Sequence, residues 1–174
     1  QALFQMLDAM KADMKDMAAV VVVVEENKMS GFFEIGIYHA KYEENIGTLW
    51  RSAYQCGASG IFTVGQRFKE QASDTVKAWR NIPMRNYCTI EDLLIAMPYG
   101  AVLVGIEMGG TPIEKFSHPK SAVYILGAED RGLSQSVIDK CHSVVCLSAK
   151  RTESYNVAVA GSIVMYHRTF VSNY

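Results

Sequence analysis

The sequence contains none of the short signatures that mark the commonest nucleotide and hydrolase sites. There is no G-x-G-x-x-G after a strand-like run, no Walker loop and no G-x-S-x-G elbow, so dinucleotide-binding and α/β-hydrolase readings lose support. The four cysteines, Cys56, Cys88, Cys141 and Cys146, form no C-x-x-C pair. With no secretory signal in view, they read as reduced thiols of a cytoplasmic protein. Cys141, His142 and Cys146 lie close together, but their spacing matches no common zinc pattern, and no metal is expected. The longest apolar run, "MAAVVVVV" from Met17 to Val24, is far short of the roughly 20 residues that span a bilayer. Its upstream flank carries Asp8, Asp13 and Asp16, which is wrong for a signal peptide. The net charge of −1 announces no nucleic-acid partner, so any such partner must be held by a local patch.

What remains is a globular composition, 49% hydrophobic and 20% charged over 174 residues. Residues 1–29 read as a leader or extra helix, with Leu3, Leu7, Met10, Met14 and Met17 at amphipathic-helix spacing. Met29 stands just before the first strand pattern and is a candidate natural start. Residues 30–174 read as one domain without repeats or low-complexity linkers.

Within that domain strand and helix signals alternate. "FFEIGIYH" (32–39), "GIFTVG" (60–65), a short piece near "NYCTI" (86–90), "GAVLVGIE" (100–107), "AVYILG" (122–127) and "SVVCLS" (143–148) are β-like. Helical patterns cover 45–57, ending at Gly57, then 73–83, ending at Pro83, and 91–97, stopped by Pro98. Two more cover 134–141 and about 154–170. The stretch 108–121 reads as a polar linker. Strands of β-branched residues separated by helices predict an α/β fold, a mostly parallel sheet with helices on both faces.

In such sheets ligands bind beyond the carboxyl ends of strands, and three of these ends are unusual. After the first strand, Asn45 stands where a helix would be capped, Gly47 leaves the backbone approachable, and Arg51 follows within two turns. After "AVYIL" comes "GAEDRGLS", a charge cluster between Gly127 and Gly132, across which Glu129 and Arg131 are placed to pair. The last helix opens with Ser154 and Asn156, followed by the small residues Ala158, Ala160 and Gly161. Each stretch alone also suits ordinary capping, turning and packing.

Together and in this order, the three stretches resemble the motifs of the SpoU, or TrmH-like, RNA methyltransferases of the SPOUT superfamily. The resemblance rests on Asn45, Gly47, Arg51, Ala53 and Gly57, on "YILGAEDRGLS", and on "SYNVAVAGSIVMY", and covers roughly residues 31–170. It implies a C-terminal trefoil knot, a rare exception to the rules of chain threading. It implies S-adenosylmethionine as cofactor, held by Gly105, Ile106, Gly127, Cys146, Leu147, Ser154 and Asn156 at the interface of a homodimer. Arg51, Glu129, Asn45, Ser154 and Asn156 are the implied catalytic set, with Arg51 acting across the dimer interface and Gly127 leaving room for the cofactor. Ala158 and Leu147 depart from the family pattern, which commonly has Ser and Pro there.

The activity so implied is transfer of a methyl group to a ribose 2′-hydroxyl of tRNA or rRNA. tRNA is preferred, because small members without an added recognition domain often act there. A knotted RNA-binding module without turnover is the alternative. The local patch for RNA is sought in Arg67, Lys69, Lys77, Arg80 and Arg85, which with Glu70 and Asp74 give an excess of +3, and Trp79 sits among them.

Overall fold

The structure, a computed structural model, describes residues 31–65, 78–151 and 154–172. The expected leader, and Arg67, Lys69 and Lys77 of the expected basic patch, lie outside the described residues. Among the described residues six strands form one sheet: β1 (Phe33–Tyr38), β2 (Gly60–Val64), β3 (Met84–Tyr87), β4 (Val102–Pro112), β5 (Ala122–Leu126) and β6 (Ser143–Cys146). Their order is β3-β2-β1-β5-β4-β6, and every neighbouring pair is parallel. The chain works outward from β1 to β3, crosses to β4, and fills the slot beside β1 with β5. The carboxyl ends of β1, β4, β5 and β6 therefore face one crevice where the strand order reverses.

Side chains alternate between two cores, as a sheet covered on both faces demands. On β5, Tyr124 and Leu126 enter one core, while Val123 and Ile125 enter the other. The first core is closed by α1 (Glu43–Gln55) and α4 (Val157–Tyr166). Helix α1 buries Ile46, Leu49, Trp50 and Ala53 at three- and four-residue steps, and Glu43 and Glu44 favour its first turn. It ends where Gly57 takes a φ of 77°, as its position in the sequence predicts. Helix α4 comes close to the sheet because Gly161 has no side chain: a Cβ there would lie 2.5 Å from Leu49 and 3.1 Å from Leu126. The second core is closed by α2 (Ile90–Ala96), which starts on a Thr89–Asp92 capping box, and by the short α3 (Gln135–Ile138). The chain runs from the β6 edge back to α4, which packs on α1; the expected knot would be tied on this return path.

Two expectations are revised. β4 continues to Pro112, through the first five residues of the expected linker, because Thr111 and Pro112 rejoin β6 after an irregularity. The helix expected at 134–141 closes after four residues, at Ile138.

At the amino ends of β1 and β5 a polar network is buried. Arg168, 3% exposed, donates to the carbonyls of Pro119 (2.6 Å) and Lys120 (2.9 Å) and to the Tyr124 hydroxyl (3.2 Å). The Tyr124 hydroxyl lies 2.6 Å from His118 Nδ1, and His118 Nε2 lies 3.0 Å from His167 Nδ1. Burial, with Arg168 and His167 nearby, pushes the His118 imidazole down to about 3.

Candidate functional site

A cleft of about 570 Å³ opens at the carboxyl ends of the strands. Its wall is built from Tyr42 and Asn45 after β1, Ile106–Met108 at the bend of β4, the loop 126–132 after β5, and Leu147 after β6. Ser154–Val157 and Ala160, at the start of α4, close it. That volume suits a small-molecule ligand.

The three unusual stretches of the sequence meet here through side chains. Asn156 caps α4, its Oδ1 accepting from the amides of Ala158 (3.0 Å) and Val159 (3.3 Å). Its Nδ2 donates to Asn45 Oδ1 at 3.0 Å. Asn45 Nδ2 in turn donates to Glu129 Oε1 at 2.5 Å, and Glu129 Oε2 accepts from the Lys41 amide at 3.2 Å. Lys41 and Asp130 form an ion pair at 3.6 Å on the rim.

This geometry corrects several readings of the sequence. Asn45 is not the cap of α1: Tyr42 occupies that position without a side-chain bond, and Asn45 sits one turn inside, free to bridge to the other motifs. Glu129 turns toward Asn45 and Lys41 rather than pairing with Arg131. Gly127 is needed by the protein itself, because a Cβ would stand 2.0 Å from the Gly132 carbonyl carbon and 2.3 Å from the Leu133 nitrogen.

Of the residues expected to hold a cofactor, Ile106, Gly127, Leu147, Ser154 and Asn156 line the cleft. Gly105 and Cys146 stand outside the lining. The Cβ position of Gly105 faces Cys141 and Leu133, and Cys146 Sγ lies 3.1 Å from the Gly110 carbonyl. Tyr42, Glu107, Met108 and Tyr155 line it and escaped the sequence reading. "GIEMGG" was the available signal, since two adjacent glycines inside a strand mark a bulge. Arg51 is exposed on α1 and is absent from the lining. Six residues along a helix place it about 120° around the axis from Asn45, on a different face. Arg85 pairs with buried Glu34, and Arg80 is exposed.

The SpoU rRNA Methylase family matches residues 33–166. The chain belongs to this family. It is 30% identical over 131 residues to an uncharacterized tRNA/rRNA methyltransferase of Mycobacterium bovis, covering 70% of this chain. The match spans only 40% of that relative's own length. An AdoMet-bound rRNA methyltransferase from Sinorhizobium meliloti superposes with a TM-score of 0.66 at 25% identity, over 82% of this chain and 58% of the other. A further fold neighbour, from a structure concerned with 2-OH methylation of C/U34 on tRNA, gives a TM-score of 0.68 at 19% identity, over 79% and 94%. The mostly parallel α/β sheet shared with SpoU methyltransferase structures is thus the frame in which the cleft sits.

Proposed function

We propose that the chain carries the catalytic domain of an S-adenosylmethionine-dependent RNA ribose 2′-O-methyltransferase, acting on tRNA or otherwise rRNA as a homodimer. The observation that carries this reading is the Glu129–Asn45–Asn156 relay, which joins the three family motifs around one cleft. The residues suit the cofactor. Ile106, Leu126, Leu147, Val157 and Ala160 offer an apolar floor, and backbone edges run from Gly127 to Gly132. The Glu129 and Asp130 carboxyl groups favour a cation at the mouth.

When bound, S-adenosylmethionine supplies a methyl group made electrophilic by its sulfonium. The chain's task is to order the cleft and to aim a ribose hydroxyl at it, since pinning both reactants removes roughly 7–11 kcal/mol of barrier in favourable cases. Asn156 holds the start of α4 against the cleft, and Ser154 lines the cleft beside it. Arg51 orients the hydroxyl and stabilises the charge that develops on its oxygen; a guanidinium stays protonated, so it is not the base.

Arg51 is exposed and absent from the lining of its own cleft, which supports its service to the cleft of a second copy. A covering partner is also favoured by the outer face of α4 and of the helical turn His167–Val171 that continues it. Val159, Ile163, Tyr166 and Phe170, spaced four, three and four apart, are all exposed, a continuous apolar stripe that water disfavours.

The test combines calorimetry with S-adenosylhomocysteine and a mass map of ribose methylation in total RNA with and without the protein. Micromolar binding and loss of one ribose methyl mark are expected. Loss of a base methyl mark instead would overturn the 2′-O assignment, and an unchanged map would leave an RNA-binding module without turnover.

A further inference from the structure

β4 is interrupted where it reaches the cleft. Ile106 and Thr111 both pair with Val145, so Glu107–Gly110 are thrown out of the ladder as a bulge, with Gly109 at a φ of 80°. The bulge sets Glu107 in the cleft wall with both carboxylate oxygens engaged. Oε2 accepts from the Leu133 amide at 2.6 Å, and Oε1 accepts from the Met108 amide at 2.9 Å. Gly132 lies under the same carboxylate, at a φ of 63°, and a Cβ there would come within 2.4 Å of Glu107 Oε2. Gly132 in turn crosses Gly127 and forms a bridge with Ala128, the residue before Glu129. Leu133 is 6% exposed, so its amide needs a partner within the protein.

We infer that Glu107 is a positioning residue of the cleft: its carboxylate staples the bulge of β4 to the loop 127–133 and thereby sets the loop that presents Glu129 to Asn45. The role rests on the reading of the cleft as the S-adenosylmethionine site. It explains both glycines of the loop together, since Gly127 must admit the returning backbone and Gly132 must admit the carboxylate. Glu107 contacts the loop and not the reacting atoms, so its removal acts through loop geometry.

The experiment compares the wild-type chain with Glu107→Gln and Glu107→Asp. The Gln variant keeps the volume but offers an amino group where one backbone N–H needs an acceptor. The Asp variant keeps both oxygens on a stem one methylene shorter. Amide hydrogen exchange, S-adenosylhomocysteine titration, RNA binding and thermal melting are read on each. In the Gln variant, Leu133 exchange is expected to accelerate and cofactor affinity to fall about tenfold, the equivalent of one lost hydrogen bond, with β1 and β5 exchange and RNA affinity unchanged. The Asp variant should show the same split to a smaller degree, and it carries the test if the Gln variant does not fold. Wild-type Leu133 exchange and cofactor affinity in both variants would overturn the inference. So would parallel loss of cofactor affinity, RNA affinity and melting temperature, the mark of a merely structural carboxylate. If the wild-type chain itself binds no S-adenosylhomocysteine, the proposed function fails, while the exchange at Leu133 still decides whether the staple exists.

Discussion

The side-chain amides of Asn45 and Asn156 meet at 3.0 Å, and the orientation of both is fixed by what lies at each end of the chain they form. Asn156 must turn its oxygen to the amides that open α4, so its amino group points at the oxygen of Asn45. The amino group of Asn45 is then left for Glu129, where an ionised carboxylate is the natural acceptor. The donors all run one way, from a residue late in the chain, through one early, to one between. A relay with a single consistent direction ties the first turn of α1, the loop after β5 and the start of α4 to one another before any ligand arrives.

Asn45→Asp reverses the middle of that relay. The new carboxylate faces Glu129 with no proton to offer it, and like charges at that distance repel. Cofactor affinity should fall about tenfold to a hundredfold, the range for a lost hydrogen bond to a charged group, while Asn45→Ala falls less because it adds no charge. Calorimetry on both variants checks the order; an Asp variant that binds as well as wild type would show that the loops are set independently.

Strands β1, β2, β4, β5 and β6 were legible because their burial is written in β-branched residues, whereas β3 (Met84–Tyr87) has none and was expected later, near 86–90. Gly57 and Pro98 ended helices as their backbone chemistry requires. The site was harder. Asn45 looks like a cap because Asn is a good cap, and only the folded position of Glu129, 84 residues away, shows what else its amide can do. Gly127 signals a crowded backbone, but a sequence does not reveal whether ligand or protein does the crowding. Glu107 was missed for a related reason. A carboxylate at a strand end acquires its meaning from the Leu133 amide, a partner on another loop.

The His118 network makes stability sensitive to acid. The folded imidazole titrates near 3 against an ordinary value of 6.5, so between those limits the unfolded chain binds the extra proton. Stability from this group is therefore complete above about 6.5 and is lost as pH falls toward about 3. Urea midpoints of wild type and His118→Gln, compared from about pH 7 to about pH 5 and so above the carboxylate range, should decline more steeply for wild type. Parallel slopes would mean that His118 takes up its proton as readily in the folded chain as in the unfolded one.

The apolar stripe on α4 makes a prediction about assembly. Ile163→Glu puts a charge on its centre without touching either core, since Ile163 is 36% exposed. Sedimentation should report a folded monomer with wild-type circular dichroism, and methyl transfer should disappear with the dimer. A variant that remains dimeric would move the interface elsewhere on the surface.

The strongest discrimination comes from asking whose cleft Arg51 serves. Arg51→Ala should retain S-adenosylhomocysteine binding, because the residue is absent from the lining of its own cleft, yet lose transfer by about a hundredfold or more, as when a group that stabilises developing charge is removed. Glu129→Gln should be impaired for a different reason, its relay to Asn45 weakened. If Arg51 acts across an interface, mixing the two inactive variants under conditions that exchange subunits creates heterodimers with one sound cleft. That cleft takes its glutamate from the Arg51→Ala copy and its arginine from the Glu129→Gln copy. Activity should return on mixing and track the fraction of heterodimer. If Arg51 serves its own cleft, every cleft in the mixture lacks one of the two groups, and no mixing ratio restores transfer.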